Sequence, residues 1–539
     1  FKNQIVPLGA RVTQLHSSDP ANLTVRISVI SPDAPASRLY QRTFAIPTPG
    51  SSLRNDPDLR EFHDTLQLPP STPAHLTVIT ELRQNDESVI DRLTHDLYVY
   101  SPTPTPHFIE SRNGAFFLNG HSWKAHGVNY MPSSGIAQPD NALFEQWLGS
   151  AAYDPQIIDR DLRRIKAMNL NSVSIFLYHQ SLKAQNLLDF LRRCQALDLK
   201  VNLSLRPGTP LDFRWPLIRE MIQTLRLPES DTIFAYDLAW EPSHFDHKHQ
   251  MQYAPAWRQW VLHRYGSLDQ AQKAWQVPAP VDHDQFSVPP AEQLVQDGPW
   301  RKLIADYRAF LDDMLRTPYA EARRLVRSID PNHAVSFRMQ MAGDPTFNNA
   351  GLLPYDFYGL TDAVDIWEPE AYGRIGDWDM VNPGHFTAAY ARLCDPNKPV
   401  LWAEMGYSVW DNASNGPNDG KLDFQARYYR DFYRMMTQSG ADGVFYWWYP
   451  GGYRVNEKSD YGIINPDGTD RPVTRIIRTH AAPFLAAAKP QGEPVPIPVD
   501  RDQDARGLFG IYQAIQESYW RALDSGQLPT LHWSHPPAQ

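Results

Sequence analysis

Apolar and polar residues alternate in short runs along the first hundred residues. "LTVRISVISPD" (23–33) and "AHLTVITELRQ" (74–84) have apolar side chains at about every second position, and Pro, Ser, Asp and Asn separate such runs. A period of two is typical of strands with one buried face. The pattern predicts a small antiparallel, Ig-like β-sandwich over residues 1–105.

Proline-rich segments flank the central part of the chain. "SPTPTPH" (101–107) predicts a stiff extended linker, because each proline fixes its own φ and restricts the residue before it. Residues 488–539 predict a Pro-rich, charged connector followed by one helix and a tail. A central domain is therefore expected over 106–487.

In this central domain, eight short apolar runs alternate with stretches whose apolar residues recur every three or four positions, as in amphipathic helices. The apolar runs are 123–130, 172–179, 200–207, 233–242, 334–340, 363–373, 399–408 and 443–452. Eight strand–helix units predict an α/β fold, a (β/α)8 TIM barrel with a long insertion at about 243–320. A doubly wound sheet shows the same alternation, but its frequent glycine-rich phosphate turn is absent.

The composition restricts the classes of protein. A chain of 539 residues with 42% hydrophobic content can bury a large core. Its formal net charge of -10 comes from 61 acidic and 51 basic residues without a long basic run, so nucleic acid is not an expected partner. No apolar stretch reaches the roughly 20 residues that cross a bilayer. The two cysteines imply no disulfide framework.

The chain begins at Phe1, with neither an initiator Met nor a signal peptide. We expect a processed or excised start. Localisation stays open, with a secreted or periplasmic protein slightly favoured, and so does the oligomeric state.

Polar residues cluster where the predicted barrel strands end, which is where barrel enzymes place their active-site groups. These residues are Asn129, Tyr130, Tyr178, His179, Arg206, Trp240, Glu241, Arg338, Gln340, Glu368, Glu370, Tyr372, Glu404, Trp447 and Trp448. Glu241 and Glu404 end strands four and seven, which face each other closely across a barrel mouth. Two carboxyl groups about 5 to 5.5 Å apart are what retaining glycoside hydrolysis requires.

Four segments, in the right strand order, resemble the clan A glycoside hydrolases, which include the cellulase and mannanase family and several β-galactosidase families. The segments are "AFFLNGHSWKAHGVNYMP" (115–132), "YDLAWEP" (236–242), "PVLWAEMGYS" (399–408) and "ADGVFYWWYPGG" (441–452). The resemblance extends from 115 to about 475. It implies a retaining β-glycosidase that acts on an oligosaccharide or polysaccharide through a covalent glycosyl intermediate, with no organic cofactor and no catalytic metal.

The resemblance also implies roles for individual residues. Glu404 matches the nucleophile, and Glu241 matches the acid that later acts as base. Tyr372 matches the tyrosine that orients the nucleophile. Of the adjacent Trp447 and Trp448, one is expected to form the sugar platform while the other packs.

The other strand-end residues have less defined roles. His179, Arg206 and Arg338 are expected to bind hydroxyl groups or to support the glutamates. Glu368 and Glu370 are expected to bind substrate or to join a hydrogen-bonded network, with replacement of the acid as the alternative. The predicted substrate-binding residues are Asn129, His179, Arg206, Trp240, Arg338, Glu370, Tyr372, Trp447 and Trp448.

Trp240 departs from the clan's pattern, which has asparagine before the acid to donate to the sugar 2-hydroxyl. An indole offers one donor on a large flat surface. Trp240 therefore reshapes the subsite while another donor serves that hydroxyl, or the site is adapted to a different sugar, or the barrel binds carbohydrate without catalysis. Because both Glu241 and Glu404 are retained, we favour a working acid with an unusual neighbour.

"HFDHKHQ" (244–250) contains side chains of the types that bind transition metals. Its irregular spacing, without a distant partner motif, favours a solvated loop at the cleft rim, so no metal is expected there.

The long insertion favours exo action on a short β-linked glycan, for example as a β-galactosidase or β-glucosidase, because it could close one end of the cleft. An endo-acting β-glucanase or mannanase is the alternative, and an inactive carbohydrate-binding barrel is a further one.

Overall fold

The structure is a computed structural model. It describes residues 4–13, 22–46, 60–101, 103–139, 141–205, 214–242, 247–349 and 356–535. The chain divides into two compact units, Phe1–Pro104 and Thr105–Gln539.

The first unit consists of antiparallel strands. They are β1 (Ile5–Val12), β2 (Leu23–Ser31), β3 (Ala34–Ala45), β4 (Arg60–Gln67), β5 (His75–Gln84) and β6 (Val89–Tyr98). β1 pairs with β4, and the other four form a sheet in the order β3-β2-β5-β6. Leu8 and Phe62 from the first sheet share one buried cluster with Val25 and Val78 from the second. This common core makes the unit a β-sandwich, as the alternating pattern predicted.

The second unit alternates strands and helices. Its strands are β7 (Glu110–Arg112), β8 (Ala115–Leu118), β9 (His121–Trp123), β10 (Ala125–Asn129), β11 (Ser172–Phe176), β12 (Lys200–Ser204), β13 (Ile233–Asp237), β14 (Val281–Asp282), β15 (Gln285–Phe286), β16 (Ala334–Ser336), β17 (Leu401–Met405), β18 (Trp410–Asp411), β19 (Gly416–Pro417), β20 (Gly443–Tyr446), β21 (Pro494–Val499) and β22 (Leu528–Trp533). Its helices are α1 (Asn141–Phe144), α2 (Pro155–Ala167), α3 (Ala184–Ala196), α4 (Trp215–Thr224), α5 (His247–Gln250), α6 (Ala254–Tyr265), α7 (Leu268–Trp275), α8 (Ala291–Val295), α9 (Arg301–Ile329), α10 (Trp378–Val381), α11 (Gly384–Cys394), α12 (Asp419–Ser439), α13 (Pro472–Ala486) and α14 (Leu508–Asp524).

Seven parallel strands form one sheet in the order β16-β13-β12-β11-β10-β20-β17. Almost every residue of these strands is buried, as in a sheet covered on both faces. Helices such as α2, α3 and α12 turn an apolar stripe toward these strands. The stripe arises because apolar residues recur every three or four positions in these helices.

The sixth barrel strand closes the sheet without forming a regular ladder. The Asp365 amide donates to the Val335 carbonyl beside β16 (2.8 Å), and the Ala371 amide donates to the Glu404 carbonyl on β17 (2.9 Å). Pro369 lies between these contacts and has no N–H group to donate. The eight strands therefore form the (β/α)8 barrel that the sequence predicted.

The insertion after β13 is mainly helical in the described residues and runs from α5 to the long helix α9. Trp257 packs there against Tyr307 of α9 and against Trp275. The buried carboxylate of Asp306 on α9 accepts hydrogen bonds from Trp275 (2.7 Å) and Tyr265 (2.5 Å). These contacts attach the inserted helices to α9.

The C-terminal segment, predicted as a connector with one helix and a tail, contains that helix as α14. Its proline-rich part forms β21, which pairs in parallel with β22. Tyr519 of α14 hydrogen-bonds His385 of α11 (2.7 Å), so this strand–helix–strand segment packs on the barrel helices. In the described part of the chain, no helix combines the length and the apolar character needed to span a bilayer.

Candidate active site

Glu404 lies near the C-terminal end of β17 and is 1% exposed. Its Oε1 accepts a hydrogen bond from Arg338 Nη1 (2.7 Å), and its Oε2 accepts one from the Tyr372 hydroxyl (2.6 Å). Charge-assisted bonds to both oxygens fix the orientation of the carboxylate and favour its ionised form. The contact with Tyr372 is the one that the resemblance implied.

Arg338 is fully buried beneath Glu404 and donates five hydrogen bonds. Their acceptors are Asp237 Oδ2 (2.9 Å), the Ala403 carbonyl (3.0 Å), Glu404 Oε1 (2.7 Å), Asn129 Oδ1 (2.7 Å) and Ser174 Oγ (2.6 Å). A guanidinium has five N–H groups, so each already has an acceptor. Of the two roles predicted for Arg338, the geometry favours support of a glutamate.

Asn129, at the end of β10, continues this buried network. Its Nδ2 lies 3.3 Å from the carbonyls of Ala403 and Tyr446, while its Oδ1 faces Arg338. The amide therefore holds the arginine in place. Its predicted contact with substrate would require these bonds to be exchanged.

Glu241 follows β13 and is half-buried. Its φ of 44° is uncommon outside glycine, and its carbonyl accepts a hydrogen bond from the Gln340 amide (3.3 Å). Backbone strain of this kind costs of order 1–3 kcal/mol and tends to occur at functional sites. The strained turn directs Glu241 toward the two other glutamates of the barrel mouth.

Glu241, Glu370 and Glu404 bring one carboxylate oxygen each to within 4.8 Å of one another. Retaining glycosidases have carboxyl groups about 5 to 5.5 Å apart, whereas inverting enzymes separate them by about 6.5 to 9.5 Å. The close approach of Glu241 and Glu404 thus fits retention.

Burial is the main influence on the protonation of Glu404 and Glu370. It raises the pKa of Glu404 to about 8, against the lowering effects of Arg338 and Tyr372. It raises the pKa of Glu370 further, and the nearby carboxyl groups of Glu241 and Glu404 act in the same direction. Glu404 therefore ionises before Glu370 as the pH rises.

Three clustered carboxylates could also supply oxygen ligands to a cation. Both oxygens of Glu404, however, already accept hydrogen bonds from Arg338 and Tyr372. These donors would compete with a metal ion for the same lone pairs. The donor set fits a nucleophilic carboxylate better than a metal ligand.

Aromatic side chains form a wall beside the carboxylates. The Trp240 ring lies 5.2 Å from the Phe176 ring and 6.0 Å from the Trp447 ring, measured between centroids. The three rings line a pocket whose other walls are Met131, Glu145, Trp147, Tyr178 and Arg454. Trp240 therefore faces this pocket, as expected if it reshapes a sugar subsite.

The polar end of this pocket joins the loops that follow β10 and β20. Arg454 forms an ion pair with Glu145, which also accepts a hydrogen bond from the Tyr178 hydroxyl (2.7 Å). Burial raises the pKa of Glu457, and both Glu145 and Glu241 contribute to the rise. Glu457 also pairs with Arg454 (2.6 Å), so it lies at the polar end of the pocket.

Trp447 and Trp448 follow β20 and are joined by a cis peptide bond. Trp447 lines the pocket, whereas Trp448 packs against Phe144 and donates from Nε1 to the Pro450 carbonyl (2.8 Å). The two tryptophans thus have different surroundings, because Trp447 borders the pocket and Trp448 packs, and the sugar platform stays a prediction.

Other predicted positions contribute differently. His179 is half-buried, and its Nε2 lies 2.8 Å from the Leu205 carbonyl. Arg206, His244 and Asp246 lie outside the described residues. In that same histidine-rich run, His247 pairs with the carbonyl of Pro289 at 3.0 Å.

Sequence reasoning missed several residues of the site. Ser174 and Asp237 are polar side chains inside apolar barrel strands, and that contrast was the available signal. Glu145 and Arg454 are 309 positions apart, so no local pattern connects them.

Comparisons with known proteins bear on the fold and on the class of protein. The β-galactosidase family model of glycoside hydrolase family 42 matches residues 222–482, which include both Glu241 and Glu404. A β-galactosidase from the Antarctic haloarchaeon Halorubrum lacusprofundi is similar in structure, with a TM-score of 0.52 and 16% identity over 71% of this chain and 65% of that chain. A variant of GH5_18 from Streptomyces cattleya, in complex with Manβ1-4GlcNAc, has a TM-score of 0.50 and 14% identity over 76% of this chain and 94% of that chain. No protein of curated function matches significantly.

The (β/α)8 barrel, the paired glutamates and the matching family model define a glycoside hydrolase. More particularly, the family match over residues 222–482, slightly less than half of the chain, supports a clan A glycoside hydrolase that acts on a glycan.

Proposed function

We propose that the enzyme removes a single sugar from the non-reducing end of a short β-linked glycan, with a galactoside or glucoside as substrate. Glu404 attacks the anomeric carbon, and Glu241 protonates the leaving oxygen and then activates water. The observation that carries the proposal is the Glu241–Glu404 pair, in which Arg338 and Tyr372 orient the attacking carboxylate.

The donors on Glu404 support its role as nucleophile. In the first step, Glu404 forms a bond to the anomeric carbon while the bond to the leaving oxygen breaks and Glu241 supplies the proton. In the second step, water forms a bond to the anomeric carbon while the bond from that carbon to Glu404 breaks, and Glu241 takes up a proton from the water. Arg338 and Tyr372 stabilise the carboxylate that is present before and after each cycle.

The pocket beside Trp240 supports exo action. Residues from the ends of four barrel strands or their following loops line it, and the Arg454–Glu145 ion pair lies at its polar end. A long cleft open at both ends would instead suit an endo-acting enzyme.

The comparisons support β-linked hexosides as the substrate class. The matched family is described as β-galactosidase, and the S. cattleya protein was crystallised with a β-linked disaccharide. The test is hydrolysis of a panel of nitrophenyl β-galactoside, β-glucoside and β-mannoside together with β-glucan and mannan. We expect a monosaccharide product from a small glycoside; release of longer fragments from a polysaccharide would contradict exo action.

Variants of the two glutamates test their roles. Glu404→Gln is expected to lower turnover by roughly two to four orders of magnitude on every substrate. Glu241→Gln is expected to lower turnover by a similar factor on a glycoside with a poor leaving group. On a dinitrophenyl glycoside, whose leaving group needs no proton, its turnover should fall far less. Glu517→Gln, at an exposed position, is the control. Equal losses with both leaving groups would remove Glu241 from the acid role.

A further inference from the structure

Glu370 is a third carboxyl group in the site, and the two-carboxylate mechanism leaves it without a function. It lies at the end of the sixth strand, is 2% exposed, and forms a backbone bridge with Glu404. In the described residues, no N–H or hydroxyl group donates to either of its oxygens. A carboxylate buried in this way would be strongly destabilised if it were charged.

The charged and titratable groups that face Glu370 come from several elements. They are Glu241 after β13, Arg338 after β16, Tyr372 on the same loop and Glu404 on β17. Arg338 has already given its five N–H groups to other acceptors, and Tyr372 donates to Glu404. Neither group compensates a charge on Glu370.

An oxygen of Glu370 nevertheless lies within 4.8 Å of an oxygen of Glu241. Two carboxyl groups this close can share a hydrogen bond only when one of them carries a proton. Glu370 is the more buried of the pair, so the neutral form is favoured there, and the high pKa that burial gives Glu370 agrees with this placement.

We propose that Glu370 is the positioning residue of the acid/base: it remains a neutral carboxylic acid through the cycle and donates a hydrogen bond to Glu241. This proposal rests on the proposed function, in which Glu241 is the acid. When Glu241 gives its proton to the leaving oxygen, the Glu370 bond becomes charge-assisted and stabilises the carboxylate that remains. Water then returns a proton to Glu241, and Glu370 keeps its own proton throughout.

Two substitutions separate this role from a structural one. Glu370→Gln keeps a neutral donor of the same shape, so kcat/KM should stay within about threefold of the wild-type value. Glu370→Met keeps the length of the side chain but has no donor. For a glycoside with a poor leaving group, the kcat/KM of this variant should fall tenfold or more. For a dinitrophenyl glycoside it should fall less than about threefold, because general-acid catalysis contributes only to the reaction with the poor leaving group.

Infrared spectroscopy provides a readout besides activity. The difference spectrum between the wild-type protein and Glu370→Gln at neutral pH should contain the carbonyl band of a protonated carboxylic acid. Absence of that band, or equal losses in the Gln and Met variants, would overturn the proposal. Because the spectrum and the Gln variant do not depend on Glu370→Met, poor folding of that variant leaves the proposal testable.

Failure of this proposal can be distinguished from failure of the proposed function. If Glu241→Gln is inactive with poor leaving groups while Glu370→Met is unaffected, the acid assignment stands and Glu370 has no positioning role. If Glu241→Gln is fully active while Glu370→Gln is inactive, Glu370 is itself the acid, and both proposals are overturned.

Discussion

Tyr372 provides one of the two hydrogen bonds that orient Glu404, and it lowers the pKa of that carboxyl against the effect of burial. Tyr372→Phe removes the hydroxyl but keeps the ring. A hydrogen bond to a charged group contributes about 1.5–3 kcal/mol, so we expect kcat/KM to fall by roughly ten- to a hundredfold. Because Glu404 must be ionised to attack, the acid limb of the kcat/KM profile should move to higher pH.

The measurement is kcat/KM as a function of pH for both proteins. Tyr428→Phe is the matched control, because the hydroxyl of this buried tyrosine contacts the Ala371 carbonyl (3.3 Å) and not Glu404. An acid limb that stays in place in Tyr372→Phe would show that the Tyr372 hydroxyl does not influence the ionisation of Glu404.

Individual residues were predictable where a motif carries their chemistry. Glu241 and Glu404 end apolar strands in segments that resemble a known clan, and Tyr372 follows from the same resemblance. The surroundings of Arg338 were not predictable, because its partners Ser174 and Asp237 come from strands distant in sequence. Their convergence follows from barrel closure, which no local pattern specifies.

At the scale of elements, the ion pair between Arg454 and Glu145 joins the loops that follow β20 and β10 at the edge of the pocket. Arg454 is 4% exposed, and its guanidinium also lies over the rings of Trp447 (5.9 Å) and Trp448 (5.3 Å). Arg454→Gln would leave a partly buried Glu145 without its cation and would loosen the pocket wall.

We therefore expect Arg454→Gln to raise KM by about tenfold or more while kcat changes less, because the groups that react remain in place. Arg521→Gln is the control, since Arg521 pairs with Glu517 at an exposed site where ion pairs contribute about 0–1 kcal/mol. A fall in kcat with unchanged KM would show that Arg454 supports the carboxylates instead of the pocket.

Periodicity predicted the barrel elements well because each buried strand is a compact apolar run. The proline-rich strand β21 was missed because proline normally argues against a strand. Pro494, Pro496 and Pro498 occupy alternate positions of its parallel pairing with β22. Alternate amides of a strand point to the same side, so the missing N–H groups all belong to the side away from β22.

At the scale of the whole molecule, the centre of the barrel holds more acids than bases. Arg338 has electrostatic interactions with Glu404, Asp237, Glu370 and Glu368. One guanidinium cannot neutralise four carboxyl groups, and burial raises the pKa of Glu368, Glu370 and Glu404, which favours their neutral forms. The net charge of -10 gave no indication of this local imbalance, because it is summed over the whole chain.

Glu368 makes the consequence measurable. It is fully buried, neither of its oxygens has a hydrogen-bond partner in the described residues, and burial, together with Asp237, raises its pKa well above the ordinary 4.5. A carboxyl whose pKa is higher in the folded state stabilises the fold fully below pH 4.5. This contribution is lost progressively as the pH rises toward the folded-state value.

Glu368→Gln removes the titration while keeping the shape of the side chain. The free energy of unfolding should therefore decline less with rising pH than in the wild-type protein, by up to about 1.4 kcal/mol per pH unit above pH 4.5. Chemical denaturation between pH 5 and 8 measures this difference, and Glu517→Gln controls for the same chemical change at an exposed position. If the free energy of unfolding depends on pH in the same way in Glu368→Gln and in the wild-type protein, Glu368 is ionised in the folded state. The proton would then have to reside on another carboxyl group around Arg338.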